Sequence, residues 1–113
     1  MTIESDLEAN TDEFIESADE DVAKGRYNSA VTSYFKAIAT ICDLKIYEWR
    51  RVLPKNHSER FSFLKEGFYE IYKIIGPLFK KYIKTYNLRL GKEEAITFKK
   101  NVEEIKKRFE KKT

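Results

Sequence analysis

The fold of this chain is decided by residues 25–60, which read GRYNSAVTSYFKAIATICDLKIYEWRRVLPKNHSER. Apolar side chains recur in this stretch at spacings of three and four residues over about seven turns, which is the period of an amphipathic helix. The stripe consists of Val31, Phe35, Ile38, Cys42, Ile46, Trp49 and Leu53. Asn28 is a favourable N-cap, and Pro54 disfavours the helical conformation in the residue before it. The pattern therefore predicts a helix over residues 28–53.

Two further helices are predicted at the ends of the chain. The first covers residues 5–24 and is ended by Gly25, since glycine is the usual left-handed residue after a helix. Its start is so acidic that we expect residues 1–10 to fray. The last covers residues 92–111, and its inward positions are Ala95, Phe98, Val102, Ile105 and Phe109.

The segment between these helices carries one uninterrupted apolar stripe from residue 58 to residue 86. Its members are Phe61, Leu64, Phe68, Ile71, Ile75, Leu78, Tyr82 and Tyr86. Ser58 is the expected N-cap, and the stripe keeps its phase through Pro77. We therefore expect one long helix kinked at Pro77. Four helices joined by short connections are typical of an antiparallel arrangement. We therefore predict an all-α, four-helix up-and-down bundle that forms a single domain over residues 1–113.

Composition is typical of a soluble cytoplasmic protein. Of the 113 residues, 42% are hydrophobic and 14% aromatic, which is enough for one core. A single cysteine, Cys42, cannot form an internal disulfide, as expected in a reducing compartment. The N-terminus lacks a signal-peptide pattern, and no apolar run approaches the roughly 20 residues that span a bilayer. Glutamine is absent and lysine occurs 16 times, a composition that resembles that of thermophile proteins.

Charge is divided along the chain. Residues 1–24 have a balance of −8, whereas residues 25–113 have a balance of +11. A basic body of this kind attracts nucleotides or nucleic acid. The alternative interpretation is that the lysines only coat the solvent-facing sides of helices.

Residues 50–60 contain the densest group of side chains that could bind an anion. The candidates are Arg50, Arg51, Lys55, Asn56, His57 and Arg60. His57 is the only histidine, and histidine is the side chain that titrates near neutral pH. The positive end of the helix that begins at Ser58 would help to hold a phosphate. Alternatively, His57 has a structural role and only packs beside the start of that helix.

The pattern Gly25-x-Tyr27-x-x-Ala30-x-x-x-Tyr34-x-x-Ala37 begins a wider resemblance. It is followed by the joint Pro54 to His57, the aromatic-rich residues 61–68, and the connection from Tyr82 to Arg89. Over residues 12–110 the chain is similar to the HEPN family (higher eukaryotes and prokaryotes nucleotide-binding) of small helical bundles. The resemblance implies a homodimer, often paired with a small nucleotidyltransferase in a toxin–antitoxin system. Tyr47, Tyr69 and Tyr72 lie off the main stripes and could form a dimer interface.

Many HEPN proteins are metal-independent ribonucleases with an Arg-x(4–6)-His motif. Arg51 and His57 have this spacing, although Val52 stands where a polar residue is usual. We expect a non-catalytic module that binds a nucleotide, RNA or a partner nucleotidyltransferase. One alternative is an endoribonuclease in which Arg51 and His57 are catalytic. The other is a purely structural interaction bundle. We predict neither a metal site nor a cofactor, since the sequence has no clustered ligand pairs and no Gly-rich phosphate loop.

Overall fold

The structure, a computed structural model, describes residues 1–111. These residues form five helices and no strand: α1 Ile3–Ala23, α2 Tyr27–Arg50, α3 His57–Gly67, α4 Tyr69–Lys84 and α5 Lys92–Lys111. The prediction of an all-α fold is confirmed. Within the described residues, every helix is too short or too polar to cross a lipid bilayer.

Helix α2 lies at the centre of the fold. Nine of its residues are buried, and it packs against each of the other four helices. Helix α1 runs antiparallel to α2. The hydroxyls of Thr11 and Thr40 are hydrogen-bonded to each other, and further along α1 Asp19 accepts a hydrogen bond from the hydroxyl of Tyr34, which lies earlier in α2. Burial and the Asp19 contact raise the pKa of Tyr34 above its ordinary value, so this hydroxyl keeps its proton.

The predicted stripes form the core except at the ends of their helices. All five predicted inward positions of α5 are buried, and Cys42 is buried within the core of α2. Trp49, Leu53 and Tyr86 were predicted inward but have exposed fractions of 40%, 43% and 74%. Helix α2 stops at Arg50, before Leu53, and Tyr86 follows the end of α4, so neither residue continues the periodicity of a helix.

Helix α1 includes most of residues 1–10, the acidic segment for which we predict fraying. Thr2 is the N-cap, and its hydroxyl accepts a hydrogen bond from the Ser5 amide at 3.0 Å. The Ser5 hydroxyl accepts the reciprocal bond from the Thr2 amide, also at 3.0 Å. This capping box satisfies two backbone amides at the start of the helix, and the acidic Glu4 and Asp6 in the first turn interact favourably with its positive end.

The predicted single helix over residues 58–86 was wrong. The chain reverses at Phe68, whose φ and ψ are −143° and 59°, and α3 and α4 form an antiparallel hairpin. The ring centroids of His57 and Phe79 are 4.9 Å apart. In one straight helix their separation of 22 residues would correspond to about 33 Å. Pro77 lies inside α4 and is not the point at which the chain changes direction.

A close approach of Trp49 to Gly67 accompanies the reversal. A Cβ atom added to Gly67 would lie 2.6 Å from the indole of Trp49, so only glycine allows this contact. Phe68 then inserts between Trp49 and Phe109, with centroid distances of 5.6 and 5.4 Å. Leu64 of α3 and the inner face of α4 pack against the same core. The apolar stripe of residues 58–86 therefore keeps its phase across the turn at Phe68.

Asn28 has a different role from the N-cap predicted for it. The N-cap of α2 is Arg26, two residues before the predicted one, and it makes no side-chain capping bond. The Asn28 amide donates to the carbonyl oxygens of Thr85 and Leu88 at 3.2 and 2.7 Å. Its Oδ1 accepts from the Leu90 amide at 2.8 Å. One side chain thereby holds the α4–α5 connection against the start of α2.

Candidate functional site

The two arginines at the end of α2 do not converge on a common site. Arg50 forms an ion pair with Glu66 of α3. Arg51, in the left-handed conformation with φ of 59°, directs its guanidinium to Glu4 of α1 at 3.2 Å. Both pairs are largely exposed. The predicted anion site therefore lacks two of its cations, because each is directed towards a different acidic partner.

Arg60, the third arginine of the predicted site, is held in a partly buried ion pair. Its Nε and Nη2 donate to the two carboxylate oxygens of Asp43 at 2.7 and 3.0 Å. Each side chain is only 13% exposed. Such a two-pronged contact fixes the guanidinium plane as well as its position. Arg60 is thus a structural cation between α2 and α3.

The remaining members of the predicted site lie at the start of α3, where the Lys55 side chain is exposed and forms no ion pair among the described residues. Asn56, and not Ser58, is the N-cap, and its Oδ1 accepts from the Glu59 amide at 2.8 Å. The carboxylate of Glu59 in turn accepts from the Lys55 amide at 3.2 Å. The end of the helix that was expected to hold a phosphate is therefore already capped by protein groups.

His57 packs against a cluster of aromatic rings, two of which, Phe35 and Tyr82, belong to the buried core. Its ring centroid lies 5.9 Å from that of Phe35, 4.9 Å from Phe79 and 6.2 Å from Tyr82. Burial, followed by the positive charge of Arg60, lowers the pKa of His57 below 6.5, while the carboxylate of Asp43 opposes the shift. At neutral pH the imidazole is therefore uncharged.

This geometry does not favour the predicted general-base role of His57. Its Nδ1 lies 2.9 Å from Nη1 of Arg60, and an arginine can only donate, so the lone pair of Nδ1 is engaged. A general base needs a free lone pair within reach of the proton that it removes. Arg51, the second predicted catalytic residue, is paired with Glu4.

A groove between α3 and α4 combines aromatic and basic side chains. We call it the α3–α4 groove; its floor is formed by the half-buried rings of Phe61, Tyr72 and Phe79. Phe61 packs edge-on against both neighbours, at 6.4 Å from Tyr72 and 5.2 Å from Phe79. The part beside His57 is an open depression of about 580 Å³.

Three exposed lysines, Lys65, Lys73 and Lys80, line the α3–α4 groove. None of them forms an ion pair among the described residues. The groove lining also contains no carboxylate. The acidic residues of the two helices bond to groups outside the groove. Glu59 accepts a hydrogen bond from the backbone amide of Lys55. Glu66 forms an ion pair with Arg50, and Glu70 forms one with Arg108. The groove therefore has a positive edge that is not neutralised.

A second cavity, between α1, α2 and α5, lacks this charge asymmetry. It encloses about 290 Å³, and its polar lining includes Glu8 and Asp12 as well as Lys45 and Lys106. Acids and bases of similar number leave no single sign of charge for a ligand to recognise. Among residues 1–111, no cluster of three or more histidine, cysteine or acidic side chains is placed to hold a metal ion.

The α3–α4 groove was not predicted from the sequence, although the chain contains a signal for it. Tyr72-Lys73 and Phe79-Lys80 repeat the same aromatic–lysine pair after seven residues, or about two helical turns. Both aromatic side chains therefore share one face of α4, beside both lysines. Tyr72 was instead assigned to a dimer interface, because its partner Phe61 becomes its neighbour only after the chain reverses.

Comparison with known proteins gives no relative from which a function could be transferred. No protein-family model, no curated protein and no solved structure matches this chain. The resemblance to the HEPN family accordingly stays a prediction from the quoted motifs.

Proposed function

We propose that this protein binds single-stranded RNA in the α3–α4 groove without cleaving it. The observation that carries the proposal is an aromatic floor whose lining contains no carboxylate and whose three lysines form no ion pair among the described residues. Bases stack on exposed aromatic rings, and each such contact contributes about 1–3 kcal/mol to binding. Duplex RNA keeps its bases stacked inside the helix, so this floor favours single strands.

The lysines of α4 are spaced along one side of the helix. Lys73, Lys80 and Lys84 are separated by seven and four residues, which places them on one face over about 16 Å. All three are exposed. A row of point charges beside a stacking surface matches the alternation of phosphates and bases in a single strand. The positive balance of residues 25–113 adds a long-range attraction to the same polyanion.

The resemblance to the HEPN family supports the same class of ligand. It also supports two proposals that reach beyond the groove: that the chain forms a homodimer, and that its partner is a nucleotidyltransferase in a toxin–antitoxin pair. Both are tested by co-expressing the chain with a nucleotidyltransferase encoded beside it and determining the mass of the purified complex. A chain that elutes alone as a monomer at micromolar concentration would contradict both.

The test of RNA binding is fluorescence anisotropy with a labelled ten-nucleotide oligouridylate, in chelator, over a range of salt concentrations. With three phosphate contacts, we expect the logarithm of the association constant to fall with the logarithm of salt concentration at a slope of about −2. Gel analysis of the same samples should show intact RNA. Equal affinity for a duplex of the same length would contradict the proposed stacking.

A charge-matched pair of variants separates the groove from the general positive charge. Lys73→Glu with Lys80→Glu reverses two charges in the groove. Lys100→Glu with Lys107→Glu makes the same change in net charge on exposed positions of α5. We expect the first pair to abolish measurable binding and the second to reduce it only slightly. Equal losses would show that the chain attracts RNA through net charge alone.

A further inference from the structure

The two ring nitrogens of His57 are in different situations. Nδ1 lies 2.9 Å from Nη1 of Arg60. Because the guanidinium has no acceptor, Arg60 must donate this bond and Nδ1 must accept it. The proton of the neutral imidazole is therefore on Nε2. The tautomer follows from the chemistry of the neighbour and not from any visible hydrogen.

A chain of contacts holds this tautomer in place. The carboxylate of Asp43 accepts two hydrogen bonds from the guanidinium of Arg60, at 2.7 and 3.0 Å. Arg60 in turn donates a hydrogen bond to His57. The imidazole is wedged against Phe79 and Phe35. Both the orientation of the ring and the position of its proton are consequently set before any ligand arrives.

Among residues 1–111, Nε2 of His57 has no hydrogen-bond partner. The only side-chain hydrogen bond of His57 among the described residues is the one at Nδ1. No fully buried side-chain nitrogen or oxygen of the described residues lacks a hydrogen-bond partner, so Nε2 is not fully buried. The ring lines the α3–α4 groove and also a second cavity of about 210 Å³, whereas Arg60 and Asp43 line only that second cavity. Because the two nitrogens of an imidazole point in diverging directions, Nε2 points away from Arg60, which does not line the groove.

We propose that His57 reads a hydrogen-bond acceptor on the edge of a base bound in the α3–α4 groove, through Nε2–H, with Asp43 and Arg60 as positioning residues. This inference rests on the proposed function. His57 and Phe61 both lie close to Phe79, with centroid distances of 4.9 and 5.2 Å. A base stacked on Phe61 presents its edge towards His57. The role is binding and selection, since the lone pair needed for proton removal is engaged.

The first test is the tautomer itself, measured from the ring ¹⁵N shifts of the purified protein. His57 is the only histidine, so its signals need no assignment. We expect a protonated Nε2 and an unprotonated Nδ1 at neutral pH. Arg60→Lys removes the fork that bonds Asp43 and His57 together, and should give a mixture of tautomers. A mixture in the parent protein would overturn the inference.

The second test compares two substitutions of His57 in the oligouridylate assay. His57→Asn keeps an acceptor for Arg60 near Nδ1 and removes the far donor, and should weaken binding about fivefold. His57→Gln reaches further and can present its amide N–H, so it should retain most of the affinity. An oligonucleotide of the same length without bases should bind the parent and His57→Asn equally, because no base edge is present. A fivefold loss with that probe would overturn base reading.

The outcomes also separate this inference from the proposed function. Binding by the parent that is lost in the Lys73 and Lys80 variant but unchanged in His57→Asn would leave the groove in place and overturn the role of His57. A parent that does not bind RNA would overturn both. Circular dichroism of each variant shows whether the helices are retained, and a folded His57→Asn with parental affinity remains decisive.

Discussion

The cations of residues 50–60 and the lysines of the α3–α4 groove differ in what surrounds them. Each arginine of the first group has an acidic partner on a different helix: Glu66, Glu4 and Asp43. The lysines of the groove form no ion pair among the described residues. The arginines of this dense cluster are thus structural, whereas the charges of the groove lysines, which resemble ordinary surface lysines, are not neutralised by a carboxylate among the described residues.

The largest expected effect is a loss of stability when one arginine of residues 50–60 is replaced. Arg60→Met leaves the carboxylate of Asp43 without its partner at a site that is only 13% exposed. We expect a loss of about 3 kcal/mol in the free energy of unfolding, measured by urea denaturation. Arg50→Met is the matched control, because its pair with Glu66 is largely exposed and should contribute less than about 1 kcal/mol. Similar losses in both variants would show that burial does not distinguish the two pairs.

A substitution in the α3–α4 groove should weaken RNA binding more than it lowers stability. Tyr72→Ala removes a stacking surface and should weaken binding of single-stranded RNA by about 1–3 kcal/mol, measured by anisotropy. Since Tyr72 is only partly buried, stability should change less than in Arg60→Met. Tyr47→Ala, a partly buried tyrosine of α2 outside the groove, is the control and should bind RNA normally. Parental RNA affinity in Tyr72→Ala would remove the aromatic floor from the proposed site.

The hairpin that creates the groove can be tested at Gly67. An alanine there favours helix by about 1 kcal/mol, but its Cβ would lie 2.6 Å from the indole of Trp49. We expect the steric conflict to dominate and Gly67→Ala to lose about 1–2 kcal/mol. Fluorescence of Trp49, the only tryptophan, should report its displacement. A second variant with Trp49→Leu should remove the penalty; a stabilised Gly67→Ala alone would contradict the close contact.

The smallest expected effect is a dependence of stability on pH through His57. Its pKa in the folded protein is lowered from the ordinary 6.5, chiefly by burial and next by Arg60. As pH falls below 6.5, the unfolded chain takes up a proton that the folded chain does not, so stability decreases until the folded pKa is reached. The other charged or titratable groups around the ring are Asp43, Lys36 and Tyr82. Contact with Tyr86 raises the pKa of Tyr82 to about 12, so that group does not titrate in this range.

Thermal unfolding between pH 7.5 and pH 5 measures this dependence. The midpoint of the parent should fall more steeply than that of His57→Asn, which has no proton to gain at this position. Parallel curves for the two proteins would show that the surroundings of His57 do not disfavour its charged form.

Much of the helical structure could be predicted from the chain, and much less of the site. The stripe of α2 and the inward positions of α5 follow from a period of three and four residues, which depends only on neighbours in sequence. The partner of Arg60 lies 17 residues away on another helix, and nothing local identifies Asp43. Phe61 and Tyr72 face each other only because the chain reverses at Phe68.

The sequence by itself determined that the protein is helical, which face of each helix is buried, and that its basic charge lies after residue 24. Only the tertiary structure decided where residues 58–86 turn, which arginines are neutralised, and that a lysine-edged aromatic groove lies between α3 and α4. The physical reason is that periodicity reports which side of a helix avoids water. Periodicity carries no information about the direction of the next helix. The apolar stripe of residues 58–86 is divided between α3 and α4, and both parts are buried against the same core.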